Sequence, residues 1–296
     1  MTTDSAAGSA ARLGWVRAMP AVFVVLWSTG FIGAKYGLPY VEPLTFLLIR
    51  LGLVAVVLTA LALVTGAPWP RSRVEVGRIA LAGLLVHGAY LGGVFSAIAI
   101  GLPAGMAALI AGMQPLLTAA LVGPLLGERV TGRQWMGLAL GLAGVVMVLW
   151  EKLTVGTIPP LALLLALGAL LGITFGTLYQ KRHCTGMDLR TGTAIQYLAT
   201  SAALAVLAPL TETMRVVWTG EFVFALAWLT LVLSVGAVFL LFALIRRGAA
   251  ARVASLFYLT PAVTAVIAWA VFDERLGVVA LVGMAVASAG VALVNR

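Results

Sequence analysis

The side chains of this chain best placed to do chemistry lie inside long apolar stretches, where each polar atom needs a reason to be there. His87 is the group within such a stretch that titrates near neutral pH, and Tyr90 follows at i+3, one turn further along the same helix face. An imidazole beside a phenol can line a cavity that holds a small amphipathic solute. Alternatively, His87 donates to a neighbouring helix carbonyl and serves packing alone. Pro115 and Pro261 also lie mid-stretch. A proline removes one backbone donor and frees the carbonyl four residues back, here at Ala111 and Phe257. Freed carbonyls in a cavity are natural acceptors for an ammonium group. Gln114 and Thr260 precede the two prolines, and Tyr258 lies one turn before Pro261, adding further polar atoms. The plainer reading is that the prolines only bend helices. Trp27-Ser28-Thr29-Gly30 places an indole and two hydroxyls in the first stretch, with Trp27 either a pocket wall or an interfacial anchor.

Arg50 stands seven residues past Pro43, about 10 Å into its helix. It must find a carbonyl, a water or an acid such as Glu42, or else serve as the ligand for a solute carboxylate. Thr174, Thr177, Tyr179, Gln196 and Tyr197 are further polar candidates. No apolar stretch carries Asp or Glu near its middle. That argues against a carboxylate proton relay and against the small multidrug exchangers, which need a mid-membrane Glu. No His-Glu-x-x-His or Ser/His pairing occurs in the apolar stretches, so no enzyme is expected. The single Cys184 makes neither an internal disulfide nor a metal site, and no metal or cofactor is expected.

These residues must be positioned by membrane helices. The chain has 296 residues, 62% hydrophobic and 10% charged, against about 25% charged in soluble domains. Ten spans follow from apolar runs and charged breaks: 18–36, 43–64, 77–100, 104–126, 131–150, 157–180, 191–210, 222–245, 249–272 and 276–294. With the N-terminus inside, 14 of the 19 basic residues fall on cytoplasmic segments and five outside, while the carboxylates divide four in and six out. The positive-inside rule then places both termini in the cytoplasm and accounts for the net charge of +9 without nucleic acid.

The chain is also written twice. Shifted by 146 positions, residues 104–149 land on 250–295 without a gap. Pro115 meets Pro261, Thr118 meets Thr264, Glu128-Arg129 meets Glu274-Arg275, and Gly137 and Gly144 meet Gly283 and Gly290. Upstream, Gly30 meets Gly176 and Lys35 meets Lys181. The expected fold is an all-α membrane protein of ten transmembrane helices in two inverted five-helix repeats. Residues 1–16 form a disordered cytoplasmic tail, 17–150 the first repeat and 151–296 the second. An odd number of spans per repeat turns the second copy upside down, an arrangement suited to alternating access.

Ten spans, the duplication, a proline mid-helix and Glu-Arg after the fourth and ninth spans resemble the EamA family of the drug/metabolite transporter superfamily. Trp27, Lys35, Pro43 and Arg50 fit its first-repeat pattern. Ser28 departs from it, since many members have Gly after the Trp. His87 with Tyr90 is similar to the pair that YddG-type aromatic amino-acid exporters carry in a central cavity. The resemblance implies export of aromatic and other neutral amino acids from a bacterial inner membrane. The substrate site would comprise His87, Tyr90, Gln114, Trp27, Tyr258, Thr260, Phe257 and Ala111, with Pro115 and Pro261 as kinks. The partners implied are a small-molecule substrate and the lipid bilayer, with the chain working as a monomer. Drug or metabolite efflux is the alternative. Exchange of a phosphorylated metabolite would need several mid-span cations, and only Arg50 comes near.

Overall fold

The computed structural model describes residues 3–127, 129–153, 158–238, 240–241, 244, 256–272 and 277–295. Glu128, Glu274 and Arg275 lie outside the described residues. Helices dominate because a chain this apolar can satisfy its backbone inside a membrane only within its own helices.

In chain order the helices are α1 (Thr3–Gly37), α2 (Pro43–Val64), α3 (Arg73–Gly83), α4 (Tyr90–Ala99), α5 (Ala104–Gly112), α6 (Gln114–Leu126) and α7 (Gly132–Leu153). Then come α8 (Pro160–His183), α9 (Leu189–Thr211), α10 (Gly220–Ala227), α11 (Thr260–Phe272) and α12 (Val278–Asn295). A π-helical turn, Leu84–Ala89, joins α3 to α4, and a second, Trp228–Ala237, continues α10. Among the described residues seven helices are long and apolar enough to cross a membrane. Leu256–Val271 and Val278–Leu293 are shorter apolar helices.

The starts are written in local chemistry. Ser72, Asp188 and Thr219 each accept a hydrogen bond from a backbone N–H of the helix they precede. Pro43 and Pro160 occupy first-turn positions, where a missing N–H costs nothing. Thr131 and Gln134 form a reciprocal capping box at α7. Asp188 also pairs with Arg190 at 2.9 Å, which holds its carboxyl below the usual carboxylate range.

The structure differs from the sequence expectation at three places. Helix runs back to Thr3, into the stretch expected as a disordered tail; Ala6, Ala7, Ala10 and Ala11 favour helix there. The fourth stretch is two helices, broken at Met113, because Pro115 lacks the donor that would carry the first into the second. The third stretch changes from α to π and back; Gly83 and Gly88 let it lie against Gln196 and Thr200 of α9.

Helix starts recur at the 146-residue spacing: Pro43 and Leu189, Gln114 and Thr260, Gly132 and Val278. Contacts follow the same exchange. α2 packs along α9 and α7 along α12, each helix on its own counterpart. α1 packs on α11 as α8 packs on α6. The second π segment lies on α1, and the first on α8. At the α7–α12 crossing the backbones nearly touch. A Cβ on Gly290 would stand 2.6 Å from the Gly137 carbonyl oxygen, and one on Gly144 would stand 2.6 Å from that of Gly283.

One large apolar cluster, built around Phe46, Leu47, Leu51, Phe95, Tyr197, Phe222 and Leu229, spans both copies. A second, containing Leu109, Val145, Tyr258 and Val291, joins α5, α7, α11 and α12.

Candidate functional site

A cavity of about 80 Å³ lies between the two copies, room for several water molecules at about 10–15 Å³ each. From the first copy, α1 supplies Trp27, Gly30 and Phe31, and α2 supplies Arg50. The π turn with α4 supplies Val86, His87, Tyr90, Leu91, Val94 and Phe95. From the second, α8 supplies Ile173, α9 supplies Tyr197, and the π segment supplies Leu233 and Ser234, with Val238 just beyond. Both π segments therefore border the cavity, in keeping with their frequency at functional sites.

The polar groups form one corner. His87 stacks on Tyr197, with ring centroids 4.3 Å apart and planes 19° from parallel. Arg50 is 3% exposed, and its Nη2 donates to Ser234 Oγ at 3.0 Å. Ser234 Oγ in turn donates to the Leu229 carbonyl at 3.0 Å, its own helix. The guanidinium carbon lies 5.9 Å from the centre of the Phe95 ring, and Tyr90 and Tyr197 flank the group. Its Nε is buried and has no partner among the described residues. Glu42, the acid within sequence reach, is occupied elsewhere: it accepts the N–H and the hydroxyl of Thr213, each at 2.7 Å. Glu212 crosses the other way and caps α2 through Leu44 N and Thr45 N, each at 2.7 Å.

Trp27, His87 and Tyr90 meet at this cavity, and Phe257 lies directly behind it. Its ring meets Trp27 edge to face at 5.2 Å, and Phe23 completes the aromatic group. The remaining sequence candidates lie away from the cavity wall. Gln114 donates to Thr177 at 3.3 Å, between α6 and α8. The Thr260 carbonyl accepts from Ser28 at 3.2 Å, tying α11 to α1. Tyr258 is fully buried, and its ring fills the space left by the missing side chain of Gly141. Ala111 packs against the large apolar cluster. Pro115 and Pro261 are buried in the first turns of α6 and α11. At the first break the Met113 N–H turns back to the Ile110 carbonyl at 3.1 Å.

Phe31, Phe95, Leu233 and Ser234 escaped the sequence reading. For Leu233 the signal was present: it stands 146 residues after His87, as Ile173 stands 146 after Trp27. Among the described residues no cluster of His, Cys, Asp and Glu could hold a metal ion. The arrangement can grip an amphipathic solute, with rings and aliphatic side chains for its apolar part and Arg50, His87 and hydroxyls for its polar end.

Known proteins are similar to this chain. "Uncharacterized transporter YvbV" of Bacillus subtilis is 28% identical over 93% of this chain and 90% of its own. "Probable terminal-alkyne amino-acid exporter" of Streptantibioticus cattleyicolor is 28% identical over 92% of this chain and 91% of its own. "Probable amino-acid metabolite efflux pump" of Escherichia coli is 30% identical over a shorter region, 63% of this chain and 59% of its own. A solved crystal structure matches with a TM-score of 0.74 over 94% of this chain and 96% of that one; at 22% identity the likeness is one of fold. The EamA-like transporter family matches twice, at residues 18–150 and again at 160–296, and the chain belongs to it.

Proposed function

We propose that this protein is a secondary transporter that exports neutral amino acids, aromatic ones among them, or similar small amphipathic metabolites. The observation that carries this reading is the cavity itself, walled by both copies and holding a polar corner in otherwise apolar surroundings. The names of the relatives from Streptantibioticus and Escherichia coli point the same way. Apolar and aromatic walls take the solute side chain, and the Arg50–His87–Tyr90 corner takes its polar end. Ten spans in two inverted five-helix repeats, both termini cytoplasmic, would let the copies exchange shapes around a fixed site. The chain works as a monomer in a bacterial inner membrane; an inner membrane transporter of Escherichia coli, YedA, is among its relatives.

The test is retention of labelled phenylalanine and threonine in cells with and without the protein, at two external pH values. Lower retention at both values is the expected result and indicates facilitated export. Unchanged retention of both amino acids removes the proposal. For the topology, cysteines replacing Arg71 and Gly101 are expected to label from opposite faces of the membrane.

A further inference from the structure

We infer that Arg50 is the carboxylate-binding residue of the cavity, so the site selects its solute by an anionic end and not by an amine. This rests on the cavity being the transport site, as proposed above. A guanidinium has five N–H donors in a fixed fork. Among the described residues one hydrogen bond is made, to Ser234, and Nε is buried without a partner. No described carboxylate pairs with the group, and the nearest acid in sequence, Glu42, is held by Thr213. A buried cation left in this condition is costly unless an anion completes it. The Arg50 fork matches a carboxylate in shape and charge.

The same charge works against an amine. An ammonium group in so small a cavity meets Arg50 as a like charge, and among the described residues no carboxylate lines the wall to offset it. The substrate class is therefore monocarboxylates with an apolar or aromatic body. Amino acids belong to it through their carboxylate, and acids lacking the α-amino group belong to it equally. Amines lacking a carboxylate do not. A phosphate monoester, with two charges, would find one arginine or lysine on the cavity wall among the described residues.

The experiment is isothermal titration calorimetry on the full chain in lipid nanodiscs with three ligands of one shape: phenylalanine, 3-phenylpropionate and phenethylamine. Both acids are expected to bind and the amine to fail. Arg50→Met should weaken both acids by about thirtyfold or more, with Arg50→Lys intermediate. Phenethylamine binding as tightly as 3-phenylpropionate overturns the inference on the unaltered protein, whether or not the variants fold. A folded Arg50→Met protein that binds phenylalanine normally also overturns it, while leaving amino-acid export standing. Binding of 3-phenylpropionate without phenylalanine sinks the amino-acid reading and keeps the role of Arg50. Failure of both acids to bind overturns the inference.

Discussion

The two copies of the repeat build one cavity with unequal chemistry. At positions 146 residues apart, Trp27 corresponds to Ile173, Arg50 to Gln196, His87 to Leu233 and Tyr90 to Gly236. The first copy supplies the indole, the cation, the imidazole and a phenol. The second supplies aliphatic wall at two of these positions, and its Gln196 donates Nε2 to Gln180 Oε1 at 3.0 Å and also meets the His87 side chain. Its polar contributions, Tyr197 and Ser234, come from positions that are Leu51 and Gly88 in the first copy. Backbone-determining residues behave differently. Gly144 matches Gly290, Pro115 matches Pro261, and the π segments recur. Duplication here keeps what the symmetric packing requires and releases what lines the cavity, because packing is judged by both copies and each cavity wall is built once.

That contrast can be broken first at the shared scaffold. Gly290→Leu drives a side chain into the backbone at Gly137 and Gly141, an overpacking that costs about 1–3 kcal/mol or more. Loss of the monodisperse peak in size-exclusion chromatography is expected, and transport falls with it. Next comes the unequal wall. His87→Leu makes the first copy read as the second does at Leu233, and phenylalanine efflux should fall about tenfold while membrane insertion stays normal. Unaltered efflux would take His87 out of the site.

A smaller effect is expected at the contact joining the copies. Ser234→Ala removes the acceptor for Arg50 Nη2, raising the KM for export by about threefold to tenfold. The smallest lies outside the spans, where Asp188 and Glu42 are equivalent positions with different partners. Because Arg190 lowers the Asp188 carboxyl, its stabilisation is present above the ordinary carboxylate range and is lost as pH falls through its folded value. Asp188→Asn should lower the melting temperature slightly at neutral pH, and by less at a pH below the ordinary carboxylate range. An equal loss at both pH values would show that the ion pair is not the cause.

Much of the scaffold was legible because its causes are local or periodic. Apolar runs mark helices, cap residues mark their starts, and the fixed spacing marks the duplication. The candidate site was legible in part. His87, Tyr90 and Trp27 stood out as polar or amphipathic groups in apolar sequence, and all three reach the cavity wall. Gln114, Tyr258 and Thr260 stood out for the same reason, yet they serve contacts between helices. Sequence spacing tells which residues share a face of one helix, and not which helix that face meets.

By itself the sequence determined a duplicated helical membrane chain with few charges, and where its buried polar atoms lie along each helix. Tertiary structure alone decided which of those atoms share one space. It set Arg50 on Ser234 rather than Glu42, and His87 on Tyr197, across 184 and 110 residues of chain. The reason is geometric: rotating a helix about its axis changes every partner it has without changing its periodicity, and only packing against the other copy fixes that rotation.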